Sequence, residues 1–245
     1  MTRPIAVLDM DGTLLAGTLG VDYLNTLLAI GQVDPEPVTA AIAAVTRYQS
    51  GRTTLAAAAP QIYRHYADAL RGVPVTAAHE AAHQVWQQAR PLLFPFTAGL
   101  LDLLTVNGYQ TILISGSPHE VVSHAATDLN TDAAQGVVAD HDGQHYTGTL
   151  TCVPGLPGGK AHAFNELIHR LRPQSGPPHP PDRRTWFAIG NSSSDAEIFT
   201  QVGLPLAFEP DPQLAQLATA HQWPTANRHN LLPTLRTLLS AHPGH

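Results

Sequence analysis

A single cysteine, Cys152, stands in the 245 residues, so no disulfide can form within the chain. Charged residues amount to only 13%, their balance is −6, and no run of Lys or Arg occurs. The basic footprint of a nucleic-acid binder is therefore missing. No apolar stretch approaches the roughly 18 residues of a membrane span. The opening MTRPIAVLDMDGT turns acidic before a signal-peptide core of adequate length can form. Long disorder is excluded from the other side: hydrophobic residues make up 43%, too many for a chain that stays unfolded at so small a net charge. These absences leave a soluble protein of a reducing cytoplasm, with neither nucleic acid nor membrane as partner. Its length suffices for one large domain or for a core carrying an insert.

What is present is patterned. PIAVLDM (4–10), QTILIS (110–115), TWFAIG (185–190) and LPLAF (204–208) are short runs, apolar on both faces as central parallel strands are. Helical patterns follow most of them. SPHEVVSHAATDL predicts a helix with Ser117 as N-cap, Pro118 at the first position and Glu120 at the third, and SSSDAEIFTQV and PDPQLAQLATAHQW start in a similar way. This alternation predicts an α/β parallel sheet. Between residues 16 and 92 the pattern changes to four Ala-rich, helix-periodic segments with no strand among them, which predicts an all-helical insert directly after the first strand. GVVADHDGQHYTGTLT (136–151) reads as a hairpin turning at Asp142-Gly143. RPQSGPPHPPDRR (172–184) reads as a Pro-rich spacer, and AHPGH as a frayed tail.

Ligands of an open parallel sheet sit at the carboxyl ends of its strands. Asp9 and Asp11, Ser115, and Asn191 all fall at such ends, on three strands far apart in sequence. Two carboxylates one residue apart in extended chain point to opposite sides unless the chain turns between or after them, and Gly12 permits a turn. Asp9 then offers its side chain to a ligand that Asp11 reaches by side chain or carbonyl. Hard oxygen donors of this kind suit Mg²⁺; the alternative is a pair of Asx-turn residues closing a strand. ILISGSP ends a strand with a hydroxyl and Gly116 before a helix N-terminus, where backbone N–H groups attract phosphate. GLPGGKAHAF puts Lys160 at a helix start, but it is not a nucleotide P-loop: Pro154 stands where the first Gly belongs and Ala161 where Ser or Thr belongs.

With DMDGT, the helical insert, SGS, GGK and GNSSSD in this order, the chain resembles the haloacid-dehalogenase-like superfamily, specifically its phosphoserine-phosphatase-like branch. The resemblance covers nearly the whole chain. It implies a Rossmann-like core (1–15 and 93–245) and a helical cap (16–92) that closes over a small-molecule phosphate ester. It implies Asp9 as the nucleophile that becomes an aspartyl-phosphate, and Asp11 as acid for the leaving alcohol and later base for water. Ser115, the Gly116 N–H and Lys160 would bind phosphate. Asp9, Asp11, Asn191 and Asp195 would hold Mg²⁺. The second aspartate sets the chain apart from metal-free dehalogenases, which keep no acid there.

Two departures bear on function. Phosphatases of this branch usually carry Asp where Asn191 stands, and the change removes one negative charge from the metal site. Phosphatases for phosphoserine usually read DxDST with an acid seven positions past the second Asp; here those positions are Gly12 and Thr18, which points to a different leaving group. Arg47, Tyr48 and Arg52 of TRYQSGR are the cap's candidates for substrate contact. Trp86, Tyr63 and Tyr66 read as cap core, and His119 as a surface helix residue. The rival readings are a phosphotransferase or mutase of the same fold, which passes the phosphoryl group to a second hydroxyl, and a phosphate-binding module weakened by Asn191.

Overall fold

The computed structural model describes residues 3–172 and 183–241, so the body of the Pro-rich spacer and the tail past Ala241 lie outside the described residues. The first strand, β1 (Ile5–Leu8), is buried at every position. Its side chains alternate between two cores, which is why both its odd and its even positions are apolar. Ile5 and Val7 join Ile112, Ile114 and Ala188 on one face of the sheet, and Ala6 and Leu8 join Leu113 and Ile189 on the other.

Around β1 the chain builds a seven-stranded sheet. In chain order the other strands are β2 (Gln110–Pro118), β3 (Ala133–His141), β4 (Tyr146–Cys152), β5 (Phe187–Gly190), β6 (Leu204–Phe208) and β7 (Thr225–Ala226). Their spatial order is β4-β3-β2-β1-β5-β6-β7, and every pair is parallel except β3 with β4. The order reverses direction at β1, so the crevice beside its carboxyl end is the switch point where such sheets take their ligands.

Residues after β1 form four helices: α1 (Leu19–Ala29), α2 (Pro35–Gln49), α3 (Leu55–Leu70) and α4 (Val75–Ala89). These match the four helix-periodic segments of the insert. They do not pack as a separate body. Leu19, Tyr23, Leu24, Val85 and Trp86 belong to the same buried cluster as Leu113 of the sheet and Val121 and Val122 of the helix that follows β2. The link between α3 and α4 runs along the edge of β4: Gly72 N–H donates to the Tyr146 carbonyl (2.8 Å), Tyr146 N–H to Val73 (3.0 Å) and Val75 N–H to Gln144 (2.8 Å). An otherwise open sheet edge is thereby covered.

The remaining helices are α5 (Thr97–Val106), α6 (His119–Asp128), α7 (Gly159–Leu171), α8 (Ala196–Phe199), α9 (Pro212–His221) and α10 (Leu231–Ala241). Helices α7, α8 and α9 bury Phe164, Phe199 and Leu214 on the face that carries Val7, whereas α5, α6 and α10 bury Leu100, Val122 and Leu235 on the face that carries Leu8. The Asp142-Gly143 hairpin forms as expected, with Asp142 Oδ1 accepting from Gln144 and His145 N–H at 2.8 and 2.7 Å.

Three local expectations are corrected. Helix α6 starts at His119, and β2 continues through Pro118. Ser117 does not cap α6, because its hydroxyl is committed to Asp11 and to Gly20 N–H. The helix expected from SSSDAEIFTQV is a 3-10 turn (Ser193–Asp195) followed by the four-residue α8. Four residues past its end, Gly203 packs against the backbone of Arg184, where a Cβ would lie 1.9 Å from the carbonyl oxygen. His119 is not a surface residue: it is half-buried, and its Nδ1 accepts from Gly136 N–H at 3.2 Å. Burial lowers its pKa.

Candidate active site

The turn after β1 decides where the two aspartates point. The Met10 carbonyl accepts from the N–H groups of Thr13, Leu14 and Leu15, which curls the chain back at once. Gly12 makes this possible twice over. Its φ of +76° is in the left-handed region, and a Cβ there would stand 2.1 Å from Asn191 Nδ2. The side chain of Asn191, one residue beyond β5, therefore lies directly against the turn that carries Asp9 and Asp11.

Asp9 is buried, with Oδ2 accepting from Thr13 Oγ1 at 2.8 Å and Oδ1 accepting from Lys160 Nζ at 2.7 Å. Lys160, at the second position of α7, is 2% exposed and also donates to Asp195 Oδ1. One buried ammonium thus stands between two buried carboxylates. Burial pushes the Asp9 carboxyl up to about 7 against the pull of Lys160, and Asp195 and Asp11 push the same way as burial. Lys160 is raised above its ordinary value, because its two carboxylate partners outweigh the burial that favours the neutral amine. The other oxygen of Asp195, Oδ2, accepts from the N–H (2.9 Å) and hydroxyl (3.0 Å) of Ser192, a reciprocal cap on the 3-10 turn. Asp195 therefore reaches the site through Lys160, with both its oxygens already engaged.

Asp11 faces the other way, towards α1 and β2. Its Oδ1 accepts from Leu19 N–H at 2.6 Å, and its Oδ2 accepts from Ser117 Oγ at 2.8 Å and Ser115 Oγ at 3.1 Å. Burial raises its pKa, and these three donors and Lys160 hold the rise back. Ser115 also accepts from Ser117 N–H at 3.0 Å, so the two serines brace one another beneath the carboxylate.

Above this group lies a cavity of about 650 Å³ between the strand ends and helices α1 to α3. Asp9, Asp11, Gly116, Lys160 and Asn191 all border it. Fully buried Ser115 does not; Ser117, two residues on, does. Of the three cap candidates, Tyr48 borders the cavity and donates to Asp211 Oδ2 at 2.9 Å, at the N-cap of α9. Arg47 instead donates to Gln61 Oε1 at 3.1 Å, and neither Arg47 nor Arg52 borders the cavity. Tyr63 and Tyr66, expected as core alone, are buried or half-buried yet also border it. Tyr63 donates to the Gly116 carbonyl at 3.0 Å, and the lack of a side chain at Gly155 makes room for its hydroxyl. Trp86 is core, as expected, with Nε1 donating to Asp128 Oδ2 at 3.3 Å.

Sequence reasoning missed Thr13, Ser117 and Asp211 as parts of this site. Ser117 carried a signal: in extended chain it shares the face of Ser115. Asp211 carried only the mark of a helix cap, which it also is, accepting from Leu214 N–H at 2.7 Å.

The donors around Asp9 suit a hard cation. Among the described residues no three His, Cys, Asp or Glu side chains converge to hold a metal. The set here is mixed: the Asp9 carboxylate, the amide oxygen of Asn191, whose Nδ2 is the atom that lies over Gly12, and Asp11, whose carboxylate is engaged by other donors and whose carbonyl remains the natural contribution. Mg²⁺, which keeps waters and substrate oxygens in its shell, accepts so sparse a set of protein donors.

A buried aspartate at the switch point of a Rossmann-like sheet, held by a buried lysine from a later helix, defines a class of α/β hydrolases. The model of the haloacid dehalogenase-like hydrolase family matches residues 6–199, and the chain belongs to that family. It is 29% identical over 142 residues to phosphoserine phosphatase SerB1 of Mycobacterium tuberculosis, 58% of this chain and 41% of that protein. The chain spans about two-fifths of the length of the curated relatives it matches. Among solved structures, a Bordetella pertussis Tohama I protein of unknown function superposes with a TM-score of 0.73 at 19% identity, over 93% of this chain and 100% of that one. A phosphoserine phosphatase carrying a phospho-aspartyl intermediate analogue gives 0.62 at 16% identity, over 88% and 91%. At such identities these two likenesses are of fold. No helix among the described residues is long and apolar enough to cross a membrane.

Proposed function

We propose that the protein is a cytoplasmic phosphomonoesterase that hydrolyses a small-molecule phosphate ester through an aspartyl-phosphate on Asp9. The observation that carries this is the buried Asp9–Lys160–Asp195 chain at the floor of a cavity, with Asp11 held on its far side. A buried carboxylate fixed by a lysine is placed to attack, and the same lysine, with a third N–H to spare, meets the charge of the phosphoryl group. The family membership supports hydrolase chemistry, and the single Cys152, a free thiol, is in keeping with a reducing compartment.

In the first half-reaction Asp9 attacks phosphorus, the bond from phosphorus to the ester oxygen breaks, and Asp11 gives that oxygen its proton. Burial raises Asp11, which favours the protonated form this step needs. In the second half Asp11 takes a proton from water as the water oxygen attacks phosphorus, and the Asp9 carboxylate leaves. The products are an alcohol and inorganic phosphate. Ser115 and Ser117 aim Asp11, and the Leu19 N–H ties it to the start of the cap, so cap placement and acid placement are one arrangement. Helices α1 to α3 cover the cavity and keep bulk water from the acyl-phosphate. Mg²⁺, held by Asp9, Asp11 and Asn191, would supply positive charge that keeps Asp9 ionised and offsets charge on the phosphoryl oxygens.

The test is phosphate release from p-nitrophenyl phosphate, with Mg²⁺ and with EDTA, by the wild type and Asp9→Asn. Release that needs metal and disappears in the variant is expected; release that survives Asp9→Asn would remove Asp9 from the chemistry.

A further inference from the structure

We infer that the leaving group is an uncharged, apolar alcohol, alkyl or aryl, seated in the chamber under the cap helices; this rests on the phosphomonoesterase reading above. The chamber is large enough for one, at about 650 Å³. Most of its cap wall is apolar: Val21 and Leu24 come from α1, Ile42 and Val45 from α2, and Leu55 and Ile62 from α3, with the uncharged Thr18, Gln49 and Ser50 the polar residues beside them. The rings of Tyr63 and Tyr66 complete that wall.

Charge is what the chamber cannot receive. Among the described residues Lys160 is the one Lys or Arg on its lining, and it is already shared by Asp9 and Asp195. A carboxylate on the leaving group would meet no second cation and would lie in the field of four acids that border the same space, Asp9, Asp11, Glu209 and Asp211. An ammonium is attracted by that field, yet it would leave water for acids whose oxygens already have donors. Asp211 already accepts from Leu214 N–H, Ser193 N–H and Tyr48 Oη. Glu209 already accepts from Arg228, whose Nε lies 3.0 and 3.1 Å from its two oxygens. An amino-acid phosphate would thus bury a carboxylate with no cation to meet it, beside an ammonium among acids already engaged, which is unfavourable. An alkyl chain loses only water on entering, and each buried methylene strengthens binding by about fourfold.

The test compares ethyl, butyl and hexyl phosphate, phenyl phosphate and O-phospho-L-serine as substrates of the full chain with Mg²⁺. Calorimetric binding of hexylphosphonate and of 2-amino-4-phosphonobutanoate, under the same conditions, reads the chamber without turnover. Expected is a kcat/KM for hexyl phosphate at least about a hundredfold above that for phosphoserine, rising about threefold to fourfold per methylene along the series, and tighter binding of hexylphosphonate than of the amino-acid analogue. Equal or better turnover or binding of the amino-acid compounds overturns the inference, as does failure of both phosphonates to bind. If no ester is hydrolysed while hexylphosphonate still binds the more tightly, the chamber's preference stands and the phosphatase reading falls.

Discussion

Lys160 Nζ lies 2.7 Å from Asp9 Oδ1 and donates to Asp195 Oδ1 as well, with all three side chains buried. Removing the ammonium leaves two buried carboxylates without a cation. Breaking a buried ion pair from one side costs about 3–5 kcal/mol. Lys160→Met is therefore expected to lower the unfolding free energy by that order at pH 8, read by urea denaturation. The loss should shrink at pH 5, where Asp9 escapes the cost by taking a proton. Phosphate release should fall by at least about a hundredfold, the usual cost of removing one preorganised donor. A variant equally stable at both pH values and still active would show that the lysine is an ornament of the fold.

The second prediction concerns the pH dependence of the metal-free protein. In the fold Asp9 titrates at about 7, against 3.8 for an unperturbed aspartate. Between those values the unfolded chain has lost the proton and the folded chain keeps it, so the folded state binds more protons and stability falls as pH rises. Across the whole window this group contributes on the order of 4 kcal/mol, and Asp11 acts in the same direction. In EDTA, the unfolding free energy should therefore drop from pH 5 to pH 8, and Asp9→Asn should drop less. Mg²⁺ at pH 8 should restore part of the wild-type loss by binding only the folded state. A flat wild-type profile in EDTA would contradict the raised carboxyl.

How legible all this was in the sequence differs from element to element. β1, β5 and β6 were legible because each is short, apolar on both faces and ends at a polar residue, and the four cap helices because their period is 3.6 rather than 2. The two-residue β7 carries no pattern to read. The pairing of Gly72, Val73 and Val75 with the β4 hairpin is a contact between segments some seventy residues apart, so no local signal marks it. In the site, Asp9, Asp11, Lys160 and Asn191 were legible by type and place. Their orientations were not. The sequence left open whether Asp11 reaches a ligand by side chain or carbonyl, whereas the Met10 turn, the Leu19 N–H and the hydroxyls of Ser115 and Ser117 fix its carboxylate at the border of the cavity. Asp195 was legible as an acid in the right place, yet its two oxygens are committed to Lys160 and Ser192, a consequence of a capping turn that only three-dimensional packing completes.

A third prediction comes from a group with no partner. The Tyr23 hydroxyl is buried and makes no hydrogen bond among the described residues. Its ring packs against Tyr66, with centroids 6.4 Å apart, so the ring has a reason to be there and the hydroxyl has none in packing. Burial drives its pKa well above the ordinary value, so it remains a neutral, unsatisfied donor. A buried polar group left unpaired costs about 1–3 kcal/mol. Tyr23→Phe keeps the ring and removes the cost, so its thermal midpoint should rise by a few degrees, about 2–4 °C per kcal/mol for a chain of this size. A fall in midpoint would show that the hydroxyl is bonded in solution.

The last prediction turns on Asn191. Its side chain sits against Gly12, in the turn that follows Asp9, where the absence of a Cβ leaves it room, and both residues border the cavity. As an amide it offers one neutral oxygen. Asp in its place would be nearly the same shape and would add a full negative charge to the donors around Asp9. A divalent cation gains from that charge, and bare Asp9 loses from it. Asn191→Asp is therefore expected to bind Mg²⁺ at least about tenfold more tightly, about 1.4 kcal/mol, measured by titrating activity or by calorimetry. In EDTA the same substitution should destabilise the fold at pH 8, because another carboxylate joins Asp9, Asp11 and Asp195 with Lys160 the only lysine among them. The two effects have opposite signs and one cause, the charge at residue 191. Tighter metal binding without a metal-free penalty would place the new carboxylate away from Asp9, and no change in affinity would mean that Asn191 is not a ligand.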